Sequence, residues 1–247
     1  MRISFETGVI ELGRYKRIPI NLHCSFFITA VLLTFPFWRR VDLSGLSLAA
    51  IFTVVLFASI LLHELAHAMV ARRYRISADR IDIHINGGMV HLGGGWRTLR
   101  QDLAITIAGP LSNLVLGLLA FGLLALAEGQ GAILPGETPF PSTGILERLL
   151  RAAAYLNIGL CVVNLLPGIP LDGGRILYLL VERRWNSRIA IRVVAAFGLM
   201  FAAINMVVLF VTTLAGFPVW APPHFGTNWQ AFQESRTRSV GWNAYAV

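Results

Sequence analysis

The sequence predicts an all-α polytopic membrane protein with five to six transmembrane helices and a small β-hairpin on the cytoplasmic side. Of the 247 residues, 55% are hydrophobic and only 14% are charged, whereas about 25% of residues are charged in ordinary soluble domains. The mean hydropathy is +0.65. Long apolar runs also recur along the chain, and each reaches or approaches the ~20 residues that a spanning helix needs.

Five apolar runs are the candidate spans, and they lie at about 20–38, 46–71, 102–127, 149–166 and 189–216. The sequence leaves open whether residues 173–188 form a sixth membrane helix. We expect residues 1–217 to form a single transmembrane core. Residues 218–247 mix polar and aromatic side chains with prolines, so we expect a tail that is surface-associated or partly disordered.

The formal net charge of +8 does not indicate nucleic-acid binding, because the basic residues cluster at the ends of apolar runs and do not form an aromatic-interleaved stripe. By the positive-inside rule, the N-terminus and residues 72–101 and 172–188 are cytoplasmic. The acidic segment 128–147 is then outside. The basic residues behind this topology include Arg14, Lys16, Arg17, Arg72, Arg73, Arg75, Arg183, Arg184 and Arg188.

Between the second and third runs, the segment RIDIHINGGMVHL alternates apolar Ile81, Ile83 and Ile85 with polar residues and then reaches the turn pair Asn86-Gly87. Alternation around an Asn-Gly pair is a strong short-range signal for a hairpin turn. We therefore predict two short paired strands at about 80–93.

The motif HELAH places His63, Glu64 and His67 inside the apolar run at 46–71. Residues four apart lie on one face of a helix, so both imidazoles can reach one metal ion, with Glu64 close enough to act on water. A chance match is the alternative. It is disfavoured because burying three ionisable groups in an apolar helix without compensation would cost several kcal/mol.

A site with two histidines needs a third protein ligand, and Asp172 is the candidate. The prolines and glycine of NLLPGIPLDGGRI, at 164–176, break the helix just before it, so its carboxylate can turn back into the bundle. The alternative role of Asp172 is a helix N-cap, which is a common use of Asp. Both roles could coexist.

Three motifs together resemble the site-2 protease family of intramembrane zinc metalloproteases: HELAH, AGPLSN at 108–113 and NLLPGIPLDGG at 164–174. The resemblance covers roughly residues 20–215. It implies that His63, His67 and Asp172 bind one zinc ion per chain. It also implies that Glu64 is the general base and that Asn164 holds the substrate carbonyl or the developing oxyanion.

The expected function is therefore hydrolysis of peptide bonds in transmembrane substrates near the cytoplasmic face, as in regulated intramembrane proteolysis or signal-peptide clearance. The expected partners are a single-pass transmembrane protein or peptide as substrate and the lipid bilayer, with no nucleic acid. The expected location is a bacterial or archaeal cell membrane, with multiple passes and a cytoplasmic N-terminus. A proteolytically inactive membrane scaffold and a metal transporter are the alternatives.

Overall fold

A computed structural model describes residues 2–4, 8–38, 43–95, 97–128, 144–214, 224–237 and 241–242. The helices within these residues are α1 (Ser25–Trp38), α2 (Leu43–Arg73), α3 (Leu99–Glu128), α4 (Ile145–Asn164), α5 (Asp172–Arg184), α6 (Ser187–Leu214) and α7 (Phe225–Thr237). The strands are β1 (Arg2–Ser4), β2 (Val9–Tyr15), β3 (Ile18–His23), β4 (Ala78–His84) and β5 (Gly87–Leu92). Most of the predicted outer loop at 128–147 lies outside the described residues.

Three of the described helices, α2, α3 and α6, are long and apolar enough to cross a membrane. They correspond to the runs predicted at 46–71, 102–127 and 189–216. Helix α2 has 31 residues, so at about 1.5 Å per residue it exceeds the ~30 Å hydrocarbon core. The chain is therefore mostly helical and multi-pass.

The other two apolar runs form shorter or more polar helices than the sequence suggested. Helix α1 has only 14 residues, because the predicted run at 20–38 begins inside β3. Helix α4 has 20 residues, but its first two turns include Glu147, Arg148 and Arg151. Helix α5 has 13 residues, which is too short to span a bilayer. Helix length and apolar composition together thus account for three of the predicted five to six spans.

The predicted hairpin is confirmed, and it belongs to a larger sheet in the order β1-β2-β3-β4-β5. Strands β4 and β5 pair antiparallel, with His84 opposite Gly87, so the two turn residues are Ile85 and Asn86, one position earlier than the expected Asn86-Gly87. Strand β3 joins this hairpin in parallel, with Asn21 opposite Asp82. Strands β1 to β3 were not predicted, because IPINLH looks like the start of an apolar span and its parallel partner is about sixty residues further along the chain.

Two apolar clusters hold the elements together. One joins the sheet to α1 and α2, with Ile18, Phe26 and Ile81 almost fully buried. The other joins α5, α6 and α7 through Ile169, Ile191 and related side chains. The two clusters therefore position the helices that carry HELAH and Asp172, respectively.

Asp82, on β4, links three neighbouring strands of the sheet. Its Oδ1 accepts a hydrogen bond from Asn21 Nδ2 at 2.9 Å, and its Oδ2 lies 2.8 Å from Arg80 Nε and 2.7 Å from His91 Nε2. Burial alone would raise the pKa of Asp82, but the hydrogen bonds from Arg80 and Asn21 hold it below its ordinary value. The carboxylate thus connects β3, β4 and β5 in its charged form.

We expect Asp82→Asn to lower the apparent Tm of the purified protein by about 4–8 °C. Losing charge-assisted hydrogen bonds costs about 2 kcal/mol, and each kcal/mol shifts Tm by about 2–4 °C in a chain of this size. The measurement is a thermal melt in detergent. The matched control is Asp79→Asn, because Asp79 is exposed on the same strand. Equal melting of the two variants would show that Asp82 does not hold the sheet.

Candidate metal centre

Helix α2 brings His63, Glu64 and His67 to one buried position, as HELAH predicted. Each of the three residues is about 6% exposed. The two Nε2 atoms lie 3.0 Å apart, because residues four apart stack on one helix face. Both imidazoles therefore point at the same place from one turn of helix.

Asp172 reaches the same position from α5. Its Oδ2 lies 3.1 Å from His63 Nε2 and 3.5 Å from His67 Nε2. This buried oxygen has no hydrogen-bond partner among the described residues, so neither imidazole offers it a well-directed N–H. The N-cap of α5 is Leu171, and no side chain caps the helix. The capping role considered for Asp172 is therefore not found.

A hydrogen bond to each Nδ1 determines which ring nitrogen of these histidines is free. His63 Nδ1 lies against Asn113 Oδ1, and His67 Nδ1 lies 2.7 Å from the carbonyl oxygen of Ile105. A carbonyl oxygen can only accept a hydrogen bond, so each Nδ1 carries the proton. Both Nε2 atoms then present lone pairs, which is the arrangement that metal-binding histidines use.

The three free donor atoms suit a zinc ion. They lie within 4.8 Å of one another, and lone pairs this close repel unless a cation lies among them. Ligand atoms of a tetrahedral zinc are about 3.3 Å apart, since each is about 2.0–2.1 Å from the ion. On the neighbouring helix α3, a Cβ at Gly109 would overlap both Nε2 atoms. The glycine thus leaves space where an ion would be.

Asn113 is oriented by a buried polar network. Its Nδ2 donates to Asn157 Oδ1 at 2.8 Å, and Asn157 Nδ2 donates to Ser59 Oγ at 2.9 Å. These bonds place the Asn113 carbonyl oxygen toward His63. The sequence analysis did not single out Asn157 or Ser59. Their signal was a polar side chain inside an apolar run, which in membrane helices is commonly functional.

Glu64 lies between the metal centre and the sheet. Strand β5 packs directly against the Glu64 side chain. A Cβ added at Gly88 would lie only 2.6 Å from Glu64 Oε1. The backbone N–H of Val90 also faces the Glu64 carboxyl group. The hairpin therefore sets the position of this carboxyl group.

These side chains line a cavity of about 740 Å³. Asn164, at the end of α4, lines the same cavity, as do His84 on β4 and His224 just before α7. Burial lowers the pKa of His84 and of His224. The cavity thus combines the metal ligands with neutral imidazoles and an amide that can donate hydrogen bonds.

Several curated proteins are similar to this chain, and two of them illustrate the likeness. Rip3 of Mycobacterium tuberculosis is 33% identical over 247 residues, which cover 96% of this chain and 57% of Rip3. Zinc metalloprotease MJ0392 of Methanocaldococcus jannaschii is 29% identical over 203 residues, covering 80% of this chain and 52% of MJ0392. The chain therefore spans little more than half the length of these relatives.

The structure titled site-2 protease from Methanocaldococcus jannaschii has a TM-score of 0.62 with this chain. The match covers 97% of this chain and 95% of that one, at 22% sequence identity, so it shows a shared fold. The family model for Peptidase family M50 matches residues 51–208, more than half of the chain. This range includes HELAH and the segment that ends in Asp172. The resemblance to site-2 proteases is thereby confirmed, and the chain belongs to Peptidase family M50.

Proposed function

We propose that this protein is a zinc metalloendopeptidase that hydrolyses peptide bonds of transmembrane substrates within the membrane. The observation that carries the proposal is the convergence of His63, His67 and Asp172 donor atoms within 4.8 Å of one another, with Glu64 beside them. Two imidazoles and one carboxylate are the donor set of catalytic zinc sites, which keep a fourth position open.

In this proposal, His63, His67 and Asp172 hold the zinc. When bound, zinc supplies a Lewis acid for the scissile carbonyl and lowers the pKa of water. Glu64 acts as the general base: it takes a proton from the attacking water and returns it to the leaving amine. Contact with β5 supports this role, because it holds the Glu64 carboxyl group on the side of the cavity where an extended substrate would lie.

Asn164 would stabilise the charge that develops on the scissile oxygen. Its amide N–H groups can donate to an oxyanion without bringing a charge into the apolar bundle. Its place in the wall of the cavity that His63, Glu64 and Asp172 also line supports this role.

The substrate would bind as an added strand. A helix uses its carbonyl groups in its own hydrogen bonds, so a transmembrane substrate has to unwind before attack. Strand β5 is at the end of the sheet order among the described residues. Its free edge can pair with an extended peptide beside Glu64. We propose single-pass transmembrane proteins or peptides as the substrate class.

The membrane arrangement follows the same reasoning. Large apolar side chains are exposed on α1 and α4 as well as on the three long helices, including Phe27, Val31, Tyr155 and Val162. We therefore propose that α1 and α4 also lie in the bilayer, beside the three long helices α2, α3 and α6.

The basic segments support a cytoplasmic location for residues 8–23 and for the sheet. Arg72, at the end of α2, donates a hydrogen bond to the Lys16 carbonyl at 2.8 Å, so two basic segments lie on one side. His67 and His63 are five and nine residues before Arg72, or about 7 and 14 Å along the helix. We propose a catalytic site near the cytoplasmic face of a bacterial or archaeal membrane.

The other two functions are less well supported. A transporter needs further polar sites along a path, whereas His63, His67 and Asp172 are the only His/Cys/Asp/Glu group with metal-site spacing among the described residues. An inactive scaffold has no need for a general base, and Glu64 is retained beside the ligands.

We expect Glu64→Gln to keep zinc but lose cleavage by at least ~100-fold, since a general base contributes about 10²–10⁴-fold. The measurements are elemental zinc analysis and cleavage of a single-pass membrane peptide in detergent. Glu11→Gln, on β2, is the control and should retain activity. Cleavage at the normal rate by Glu64→Gln would remove this residue from the mechanism.

We expect Asp172→Ala to weaken zinc affinity about 10-fold or more, because the change removes one of three protein ligands. Chelator competition on purified protein measures the affinity. Asp79→Ala, on exposed β4 surface, serves as the reference. Zinc affinity equal to that of the reference would rule out Asp172 as a ligand.

We expect Gly88→Ala to retain zinc while lowering kcat/KM about 100-fold. The added Cβ pushes on the Glu64 carboxyl group, and a displacement of about 1 Å near the reacting atoms can cost that much. Gly94→Ala is the matched control, because no atom lies within 4 Å of a Cβ at that position. If the two variants cleave equally well, contact with β5 does not position Glu64.

A further inference from the structure

The loop between α4 and α5 carries Asp172 into the metal centre. Next to Asp172, Leu171 N donates to the Gly168 carbonyl at 2.8 Å, and Arg175 N donates to the Leu171 carbonyl at 3.0 Å. Leu171 is the N-cap of α5 and no side chain caps the helix. The position of the Asp172 carboxylate therefore depends on what holds the loop just before it.

Asn228 of α7 binds this loop with both the oxygen and the nitrogen of its side-chain amide. The Ile169 N–H donates to Asn228 Oδ1 at 3.1 Å, and Asn228 Nδ2 donates to the Ile169 carbonyl at 2.8 Å. Asn228 Nδ2 also donates to the His224 carbonyl at 2.8 Å. Ile169 is fully buried and Asn228 is 2% exposed. Water therefore cannot replace these bonds, and a buried backbone group without a partner is costly.

Helix α6 makes room for this contact at Gly198. A Cβ at Gly198 would overlap the Asn228 carboxamide, and a Cβ at Gly168 would lie 3.1 Å from the Gly198 Cα. The loop, α6 and α7 thus meet without side-chain volume between them. The Asn228 carboxamide therefore packs directly against the α6 backbone, where it forms its hydrogen bonds to Ile169.

Little freedom separates Ile169 from the carboxylate. Only Pro170 and Leu171 lie between Ile169 and Asp172, and the proline ring restricts φ. On the other side, Arg175 Nη2 lies 3.1 Å from Asp102 Oδ2 of α3. Asp172 is thus held between an amide contact on one side and an ion pair on the other.

We propose that Asn228 is a positioning residue for the metal centre: by binding both backbone groups of Ile169, it places Asp172 for zinc binding. The proposal rests on the proposed ligand role of Asp172. Asn228 lies outside residues 51–208, which the family model covers. Residues beyond that range would then contribute to the metal affinity of the site.

The test is a double-mutant cycle on zinc affinity in the full chain, measured by chelator competition in detergent. The proteins are the wild type, Asn228→Ala, Asp172→Ala and the double variant. We expect Asn228→Ala to weaken zinc affinity about 10-fold, the loss typical when a group supporting a ligand is removed. In the Asp172→Ala background the same change should have no further effect. Gln230→Ala, on an exposed part of α7, is the control and should leave affinity unchanged.

Gly198→Ala is a second variant that tests the same proposal, because the added Cβ displaces the Asn228 amide without removing any hydrogen-bonding group. It should weaken zinc affinity in the same direction, and it carries the test if Asn228→Ala does not fold. Unchanged affinity in folded Asn228→Ala, or equal losses with and without Asp172, would overturn the proposal. If Asp172→Ala itself leaves affinity unchanged, the proposed ligand set fails instead.

Discussion

The structure depends on placing three electron-pair donors together inside an apolar bundle. His63 Nε2, His67 Nε2 and Asp172 Oδ2 lie 3.0–3.5 Å apart, and each would be costly to bury alone. Carbonyl groups on the far side of each imidazole keep the protons on Nδ1, so the lone pairs have to face one another. A cation shared by the three donor atoms would make this arrangement favourable, and the neighbouring elements leave space for one beside them.

Helix α3 joins the two parts of the site. Along one of its faces, the Ile105 carbonyl holds His67, Gly109 leaves space beside both Nε2 atoms, and Asn113 holds His63. One turn earlier, Asp102 pairs with Arg175 of α5. Residues at this spacing share a helix face, so a single helix aligns the histidines of α2 with the carboxylate of α5. The apolar clusters on either side then keep α2 and α5 in place.

The sheet determines on which side of the metal centre the Glu64 carboxyl group lies. Strand β5 contacts Glu64 at Gly88, which has no side chain, and the Asp82 carboxylate connects β5 to β4 and β3. The same hairpin thus contacts the proposed base and carries the edge that we propose for an added substrate strand. Water, substrate and base would meet on one side of the metal centre, while the surrounding helices face lipid.

Composition and the spacing of residues within one element are enough to predict the membrane class, three long helices, the hairpin and the chemistry of HELAH. The sequence also identifies Asp172 as a ligand candidate from the broken helix before it. The packing of distant segments is visible only in the three-dimensional structure, where Asp172 meets both imidazoles, residues 8–23 join the sheet, Asn113 contacts His63, and Asn228 binds the loop before Asp172. Those contacts join residues between about fifty and more than one hundred positions apart, and no local pattern specifies which distant groups will pack together.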